Sequence, residues 1–399
     1  MPKKFTIICL INFFIAALMG LALRYSVIGD IGVNYRFLTH AHSHVAMLGW
    51  VYLMLFALIV HYFIPEKKAL FNKLFWVTEL AVVGMMLSFP FQGYAGVSIT
   101  FSTLHILCSY YFVYLVWKHN KIESFVLRCL LKSALVFMVL STIGVWCLGP
   151  AVTMAGKASA FYQIAIQFFL HFQFNGWFLI ATLAIFFHLI KIEDSKLFRL
   201  FVYTLITGTI LTVALPICWF TTIKALSVLN QTGIIIQLLS LYCFLKLIKP
   251  KLSEVLKQKS KLQIYLYSFS IFCFTLKILI QLATFIPEFS NVDYTHRNLV
   301  IGFIHLVMLG MITGFLFAFI LDVKLVTYNK MLTFGVAIFI IGFVILEALL
   351  GIQGVLLILE SRFLPNYHFL LFIASILLPL GILCILFNVY MTPQKTRVL

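Results

Sequence analysis

The sequence predicts an all-α membrane protein: a bundle of about twelve transmembrane helices forming one integral domain over residues 1–399. Composition is the first ground. Of the 399 residues 63% are hydrophobic and 10% charged, with mean hydropathy +1.08, which no soluble domain sustains. The second ground is spacing. The charges fall in short clusters between apolar runs of roughly 20 residues or more, each long enough to cross a hydrocarbon layer. In that layer backbone groups find no water, so an uninterrupted apolar run must bond within itself as a helix.

Twelve such runs follow one another: 5–28, 40–64, 70–92, 95–117, 126–149, 160–190, 197–219, 226–248, 263–286, 298–321, 331–350 and 367–390. The first follows Lys3-Lys4, exceeds a signal-peptide core and precedes no small-residue cleavage site, so it is expected to stay as span 1. The connectors are short and leave no room for a separate soluble domain. No low-complexity stretch and no clear internal repeat is visible.

Net charge is +17, which invites a nucleic-acid partner. The placement of the charges argues against one. With the amino terminus cytoplasmic, segments on the inner side hold 22 Lys and Arg and segments on the outer side six: Arg24, Arg36, Lys157, Lys224, Arg297 and Arg362. Lys277, inside span 9, completes the 29. This positive-inside pattern puts both termini in the cytoplasm and makes the lipid bilayer the first partner. The densest cluster, Lys246 to Lys261, suits anionic lipid. The eight cysteines are scattered within spans without a Cys-x-x-Cys pair and read as small packing residues.

The chemistry concentrates in the histidines. The run from Phe37 to Trp50 places His40, His42 and His44 at the start of span 2, and histidine is costly in lipid unless it binds or relays something. His40 and His44 are four apart and share a helix face, whereas His42 points away. The topology sets the depths of the others. His44, His105, His171 and His305, on spans 2, 4, 6 and 10, all fall in the outer half of the membrane, within roughly 10 Å of one another at 1.5 Å per residue. His61, His119 and His188 lie at the inner side, and His296 and His368 at the outer boundary; these suit packing or surface roles. Arg36 and Arg297 sit just outside spans 2 and 10. They suit either interfacial anchors or bidentate partners for the carboxylates of a cofactor held between those spans.

These features together resemble the catalytic subunit (subunit I) of the heme-copper oxidase superfamily, most closely the nitric oxide reductase type. The segment from His44-Val-Ala-Met-Leu-Gly-Trp to His61-Tyr-Phe-Ile-Pro65-Glu66 is similar to span 2 of nitric oxide reductases, and by that likeness His44 is a heme ligand. His171-Phe-Gln-Phe-Asn175-Gly176-Trp177 resembles their span 6, whose histidine binds the non-heme metal and precedes a Glu-Gly pair; here Asn175 replaces the glutamate. Phe303-Ile-His305-Leu-Val-Met-Leu-Gly310 resembles span 10, with His305 matching the low-spin heme ligand and Phe303 standing where the high-spin ligand belongs. The superfamily's histidine pair at the outer end of span 7 is absent from Leu215-Pro216-Ile-Cys218-Trp219-Phe-Thr221-Thr222.

The resemblance therefore implies a superfamily member degenerate at its dinuclear metal centre. It keeps one low-spin heme b on His44 and His305, with Arg36 and Arg297 toward the propionates. A bis-histidine iron has both axial positions filled, which suits electron transfer or sensing within a respiratory assembly of cytochrome subunits in the bacterial inner membrane. One alternative is an active oxygen or nitric oxide reductase with copper or non-heme iron on an unorthodox set drawn from His171, His105, His40 and His42. Another is an NnrS-like membrane protein that handles heme or copper. The plainest is a bundle whose histidines only pack.

Three further ionisable groups lie within spans. Glu79 in span 3 has no evident partner. Lys277 in span 9 and Glu347 in span 11 count to similar depths; a buried ion pair between them would relieve the cost of each, and a proton path is the functional alternative.

Overall fold

The computed structural model describes the chain except residues 258, 287, 288, 290, 291, 361 and 394–399, and except the side chains of 253–256. The C-terminal charges Lys395 and Arg397 thus lie outside the described residues. The described residues form helices and no strand. Twelve helices are long and apolar enough to cross a membrane: Lys3–Tyr25, Tyr35–Phe63, Lys68–Gln92, Gly96–His119, Phe125–Ala155, Ala160–Leu189, Lys196–Cys218, Lys224–Leu252, Lys261–Phe285, Arg297–Asp322, Lys330–Ile358 and Tyr367–Met391. They are spans 1 to 12 in the order expected from hydropathy.

Local chemistry explains where many of them start. The side chains of Asn34, Ser124, Ser159, Ser195, Ser260 and Asn329 each accept from an amide of the first turn, at the heads of spans 2, 5, 6, 7, 9 and 11. The Asn34 cap carries span 2 outward to Tyr35. Arg36 is therefore in its first turn, and Arg297 likewise opens span 10. Both arginines lie within the helices, exposed, rather than just outside them. Span 5 continues through Pro150 to Ala155, and span 11 passes Gly351 to reach Ile358. Beyond that glycine, buried Gln353 accepts from the Leu364 amide and secures the following turn.

The bundle comprises two compact units. One holds residues 1–120 and 313–399; the other holds 121–312. In the first unit spans 1, 2 and 3 pack in succession, span 3 pairs with span 4, span 11 with span 12, and span 12 returns against span 1. The second half of span 10 belongs here too, where Trp50 Nε1 of span 2 donates to Thr313 Oγ1 at 2.9 Å. In the second unit span 5 packs on span 6, span 7 on span 8, span 8 on span 9, and span 9 on the first half of span 10.

Spans 2, 6 and 10 stand apart. In their most apolar windows 83%, 78% and 78% of residues are buried, against 33–50% in the other nine, so these three are the inner helices. Each one begins as an α-helix, reaches a histidine, and continues as a π-helix: His44 before Val45–Tyr52, His171 before Phe172–Phe178, and His305 before Leu306–Ile312. Five residues after each histidine is a glycine (Gly49, Gly176, Gly310), followed by Trp50, Trp177 or Met311. A three-fold recurrence with a period of four spans is thus built into the chain, where the sequence suggested no repeat. Close approach explains two of the glycines. A Cβ on Gly49 would come within 2.9 Å of Asn12 Cβ, and one on Gly176 within 2.7 Å of Phe137 Cβ, each on the preceding span.

Candidate functional site

Counted from the heads of their helices, His44 and His105 are each tenth, His171 twelfth and His305 ninth. A common depth follows from these positions when the helices start at one surface. The three inner helices also change character at the histidine. Before it, Tyr35–His44 buries only Leu38 and Ala41, Ala160–His171 only Tyr162 and Ala165, and Arg297–His305 no residue at all. Beyond the π segments, Leu53–Phe63 and Leu179–Leu189 bury nine of 11 residues each, and Thr313–Asp322 eight of ten. Accessible apolar surface therefore sits beside and above the histidines, while the far halves are close-packed.

In the first unit His44 is oriented by its own helix. Its Nδ1 donates to the His40 carbonyl at 2.8 Å, and that bond directs the lone pair to Nε2, which faces the Tyr94 hydroxyl at 3.2 Å. The ring also lies 4.5 Å from Phe89. Tyr94 follows Gly93, whose φ is +60°, in the turn between spans 3 and 4, and its ring also meets Phe89 at 4.9 Å. His40 presents its ring to Tyr94 at 4.6 Å and lends its carbonyl to His44. His105, buried on span 4, stacks edge-on against Tyr52 at 4.7 Å and lies within electrostatic reach of His44. Its Nδ1 is 3.5 Å from Ser109 Oγ, while its Nε2 meets no hydrogen-bond partner among the described residues. The structure thus sets His40 and His44 together against Tyr94 and Phe89, with His105 against Tyr52.

His42 faces the other way, as its spacing requires. Its Nδ1 donates to the Ala16 carbonyl at 2.8 Å, and its ring fills the space over Gly20, whose added Cβ would lie 2.9 Å from Cε1. It is a packing histidine between spans 1 and 2.

In the second unit His171 occupies the same helical position but a different bond. Its Nε2 donates to the Thr209 carbonyl at 2.7 Å. Pro216 has no amide to continue the ladder in span 7, and the helix tightens before it. Val213 N then bonds the Ile210 carbonyl, three residues back, and the Thr209 carbonyl turns to His171. The acceptor of the His171 ring is thus a backbone carbonyl of span 7. Asn175 donates to the His171 carbonyl at 3.3 Å, and its Oδ1 has no partner among the described residues. Among those residues no three His, Cys, Asp or Glu side chains converge as a metal site. His305 ends the first α segment of span 10, and Phe303 lies in the same partly accessible stretch.

Lys277 and Glu347, expected as an ion pair, fall in different units. Lys277 belongs to the second unit and donates to Gln237 Oε1 at 3.3 Å, whereas Glu347 belongs to the first, where Arg24 is the cation acting on it. Glu79, unassigned from sequence, accepts from Asn12 Nδ2 at 2.8 Å. The same amide group reaches the Gly49 carbonyl at 3.2 Å, which links spans 1 and 3 to the first π segment. Nothing in the sequence near Glu79 marks this partner, which lies 67 residues earlier. No protein-family model matches the chain, and comparison with curated proteins finds no significant relative.

Proposed function

We propose that this membrane protein is a b-type cytochrome in which His44 and His305 are the two axial ligands of one low-spin heme, passing electrons within a respiratory assembly in a bacterial inner membrane with both termini cytoplasmic. The observation that carries this reading is the His44 ring. A metal-binding imidazole ordinarily donates its other N–H to a carbonyl or carboxylate, which fixes the tautomer. His44 does so through Nδ1, and its Nε2 faces the Tyr94 hydroxyl at 3.2 Å. The fit of the surroundings adds support: His44 and His305 both end helix segments with accessible apolar surface. Arg36 and Arg297 each precede their histidine by eight residues and are exposed at the helix heads, suited to holding propionates by paired N–H groups.

The heme would supply a reversible one-electron centre. The chain would hold the iron between two imidazoles, exclude water with Phe89 and the packed π segments, and keep the His44 proton on Nδ1. His171 does not extend this to a reductase, since its Nε2 is committed to the Thr209 carbonyl.

The test is the optical spectrum of the protein purified from cells with ample heme. The reading predicts sharp reduced α and β bands that carbon monoxide leaves in place. Absence of heme would sink it. A band shift with carbon monoxide, together with copper or iron beyond the heme, would favour the reductase.

A further inference from the structure

In the first unit the head of span 11 is held in a fixed frame, at the end where span 1 begins and span 12 finishes. Lys3 Nζ of span 1 donates to the Tyr390 and Thr392 carbonyls at 2.7 and 2.6 Å. Asn388 of span 12, 1% exposed, clamps the connector that leads into span 11. Its Nδ2 donates to the Thr327 carbonyl and to Asn329 Oδ1, both at 2.9 Å, and its Oδ1 accepts from the Thr327 amide at 3.1 Å. Asn329 Oδ1 also caps span 11 by accepting from the Leu332 amide at 2.9 Å. The inward face of the helix is locked too, since a Cβ on Gly335 would fall 2.6 Å from Cys384 Cβ on span 12.

On the outward side of this frame a cavity of about 540 Å³ opens between Tyr328, Asn329, Lys330, Thr333, Phe334 and Ala337. Positions 330, 333, 334 and 337 share one helix face, and all four are exposed. Tyr328, 56% exposed, stands beside them. The cavity changes character with depth. Its polar residues lie at the helix start, and Phe334 and Ala337 follow one and two turns further into the span. From Lys330 to Ala337 the helix rises about 10 Å, the step from the headgroup layer to the acyl chains. No carboxylate lines the cavity. Its charged member is the Lys330 ammonium, beside the positive end of the span 11 dipole. A wet polar mouth over a dry apolar wall fits an amphiphile, and the sign of the charge selects an anionic one.

We propose that this cavity binds one anionic phospholipid, with the headgroup phosphate against Lys330 and an acyl chain along Phe334 and Ala337. A zwitterionic lipid binds less well, because its own ammonium opposes Lys330 where the phosphate gains from it. The site shares no residue with the histidine junctions, so the proposal stands whether or not heme binds.

The experiment is photo-crosslinking of the full-length protein in phosphatidylcholine nanodiscs that contain a trace of probe lipid. The probe carries a diazirine in one acyl chain and either a phosphatidylglycerol or a phosphatidylcholine headgroup, and labelling of residues 328–337 is mapped by peptide mass spectrometry. The phosphatidylglycerol probe should label this segment roughly threefold or more above the phosphatidylcholine probe. Lys330→Gln should bring that ratio toward one, whereas Lys68→Gln, at the head of span 3, should leave it. Both lysines are exposed, so neither change disturbs packing. Equal labelling by the two probes in the wild type overturns the proposal, as does a preference that survives Lys330→Gln. Loss of the preference in Lys68→Gln overturns it too, since the charge of the whole membrane face, rather than a site, would then attract the lipid.

Discussion

His44 and His171 stand at the same junction of α- and π-helix, on inner spans four apart, each five residues before a glycine. Their chemistry differs because the backbone ties different ring nitrogens. For His44 the acceptor is its own helix's His40 carbonyl, which takes Nδ1 and leaves Nε2 pointing outward. For His171 it is Thr209 on a neighbouring span, exposed by the break before Pro216, and it takes Nε2. The His171 ring meets Phe172 of its own helix edge-on, where His44 has Phe89 and Tyr94. A recurring helix geometry therefore positions a histidine; the carbonyl that meets it decides whether a ligand results.

The sharpest way to break this comparison is to test the third junction. His305→Ala should abolish the low-spin heme spectrum, while His42→Ala, on the packing face, should leave it; a spectrum retained in His305→Ala would place the second ligand elsewhere. Next in size is the support of the first π segment. Asn12→Leu strips the buried Glu79 carboxyl and the Gly49 carbonyl of their donor, and should cost about 1–3 kcal/mol in denaturant unfolding. The corresponding glycines probe both repeats. Gly49→Ala and Gly176→Ala press a methyl against Asn12 and Phe137, and each should lower stability by about 1–3 kcal/mol; a neutral result at either would show that its π segment yields. The smallest effect concerns the turn ahead of span 10. Burial works against the Asp293 carboxylate, but the Thr295 hydroxyl and amide and the His296 ring together hold it below the usual range. A depressed value stabilises the fold above the ordinary carboxylate pKa and loses that contribution as pH falls through the folded one. Asp293→Asn should therefore flatten the stability profile below about pH 4, measured by Tm against pH.

The membrane class and the twelve spans were legible because hydropathy acts over each run of some twenty residues, whereas the Asn34 cap, which the hydropathy pattern passes over, starts span 2 at Tyr35 rather than at 40. Spans 5 and 11 ran past their expected ends because their helices continue through Pro150 and Gly351. The opposed faces of His42 and His44 were legible from helical period alone. Beyond the histidines that period fails. A π segment inserts a residue and turns everything after it by about 100° relative to an α-helix. The recurrence of His, Gly and π-helix is carried by two residues in each repeat, too few to stand out in apolar sequence. Lys277 and Glu347 show the other limit, since matched depths on spans 9 and 11 leave them in different units.

The most direct test of the account is heme retention in two single variants, His44→Ala and His171→Ala, purified side by side and compared by reduced-minus-oxidised spectra per mole of protein. The account predicts that His44→Ala loses the low-spin bands while His171→Ala keeps them at wild-type intensity. Bands kept in His44→Ala and lost in His171→Ala would contradict it.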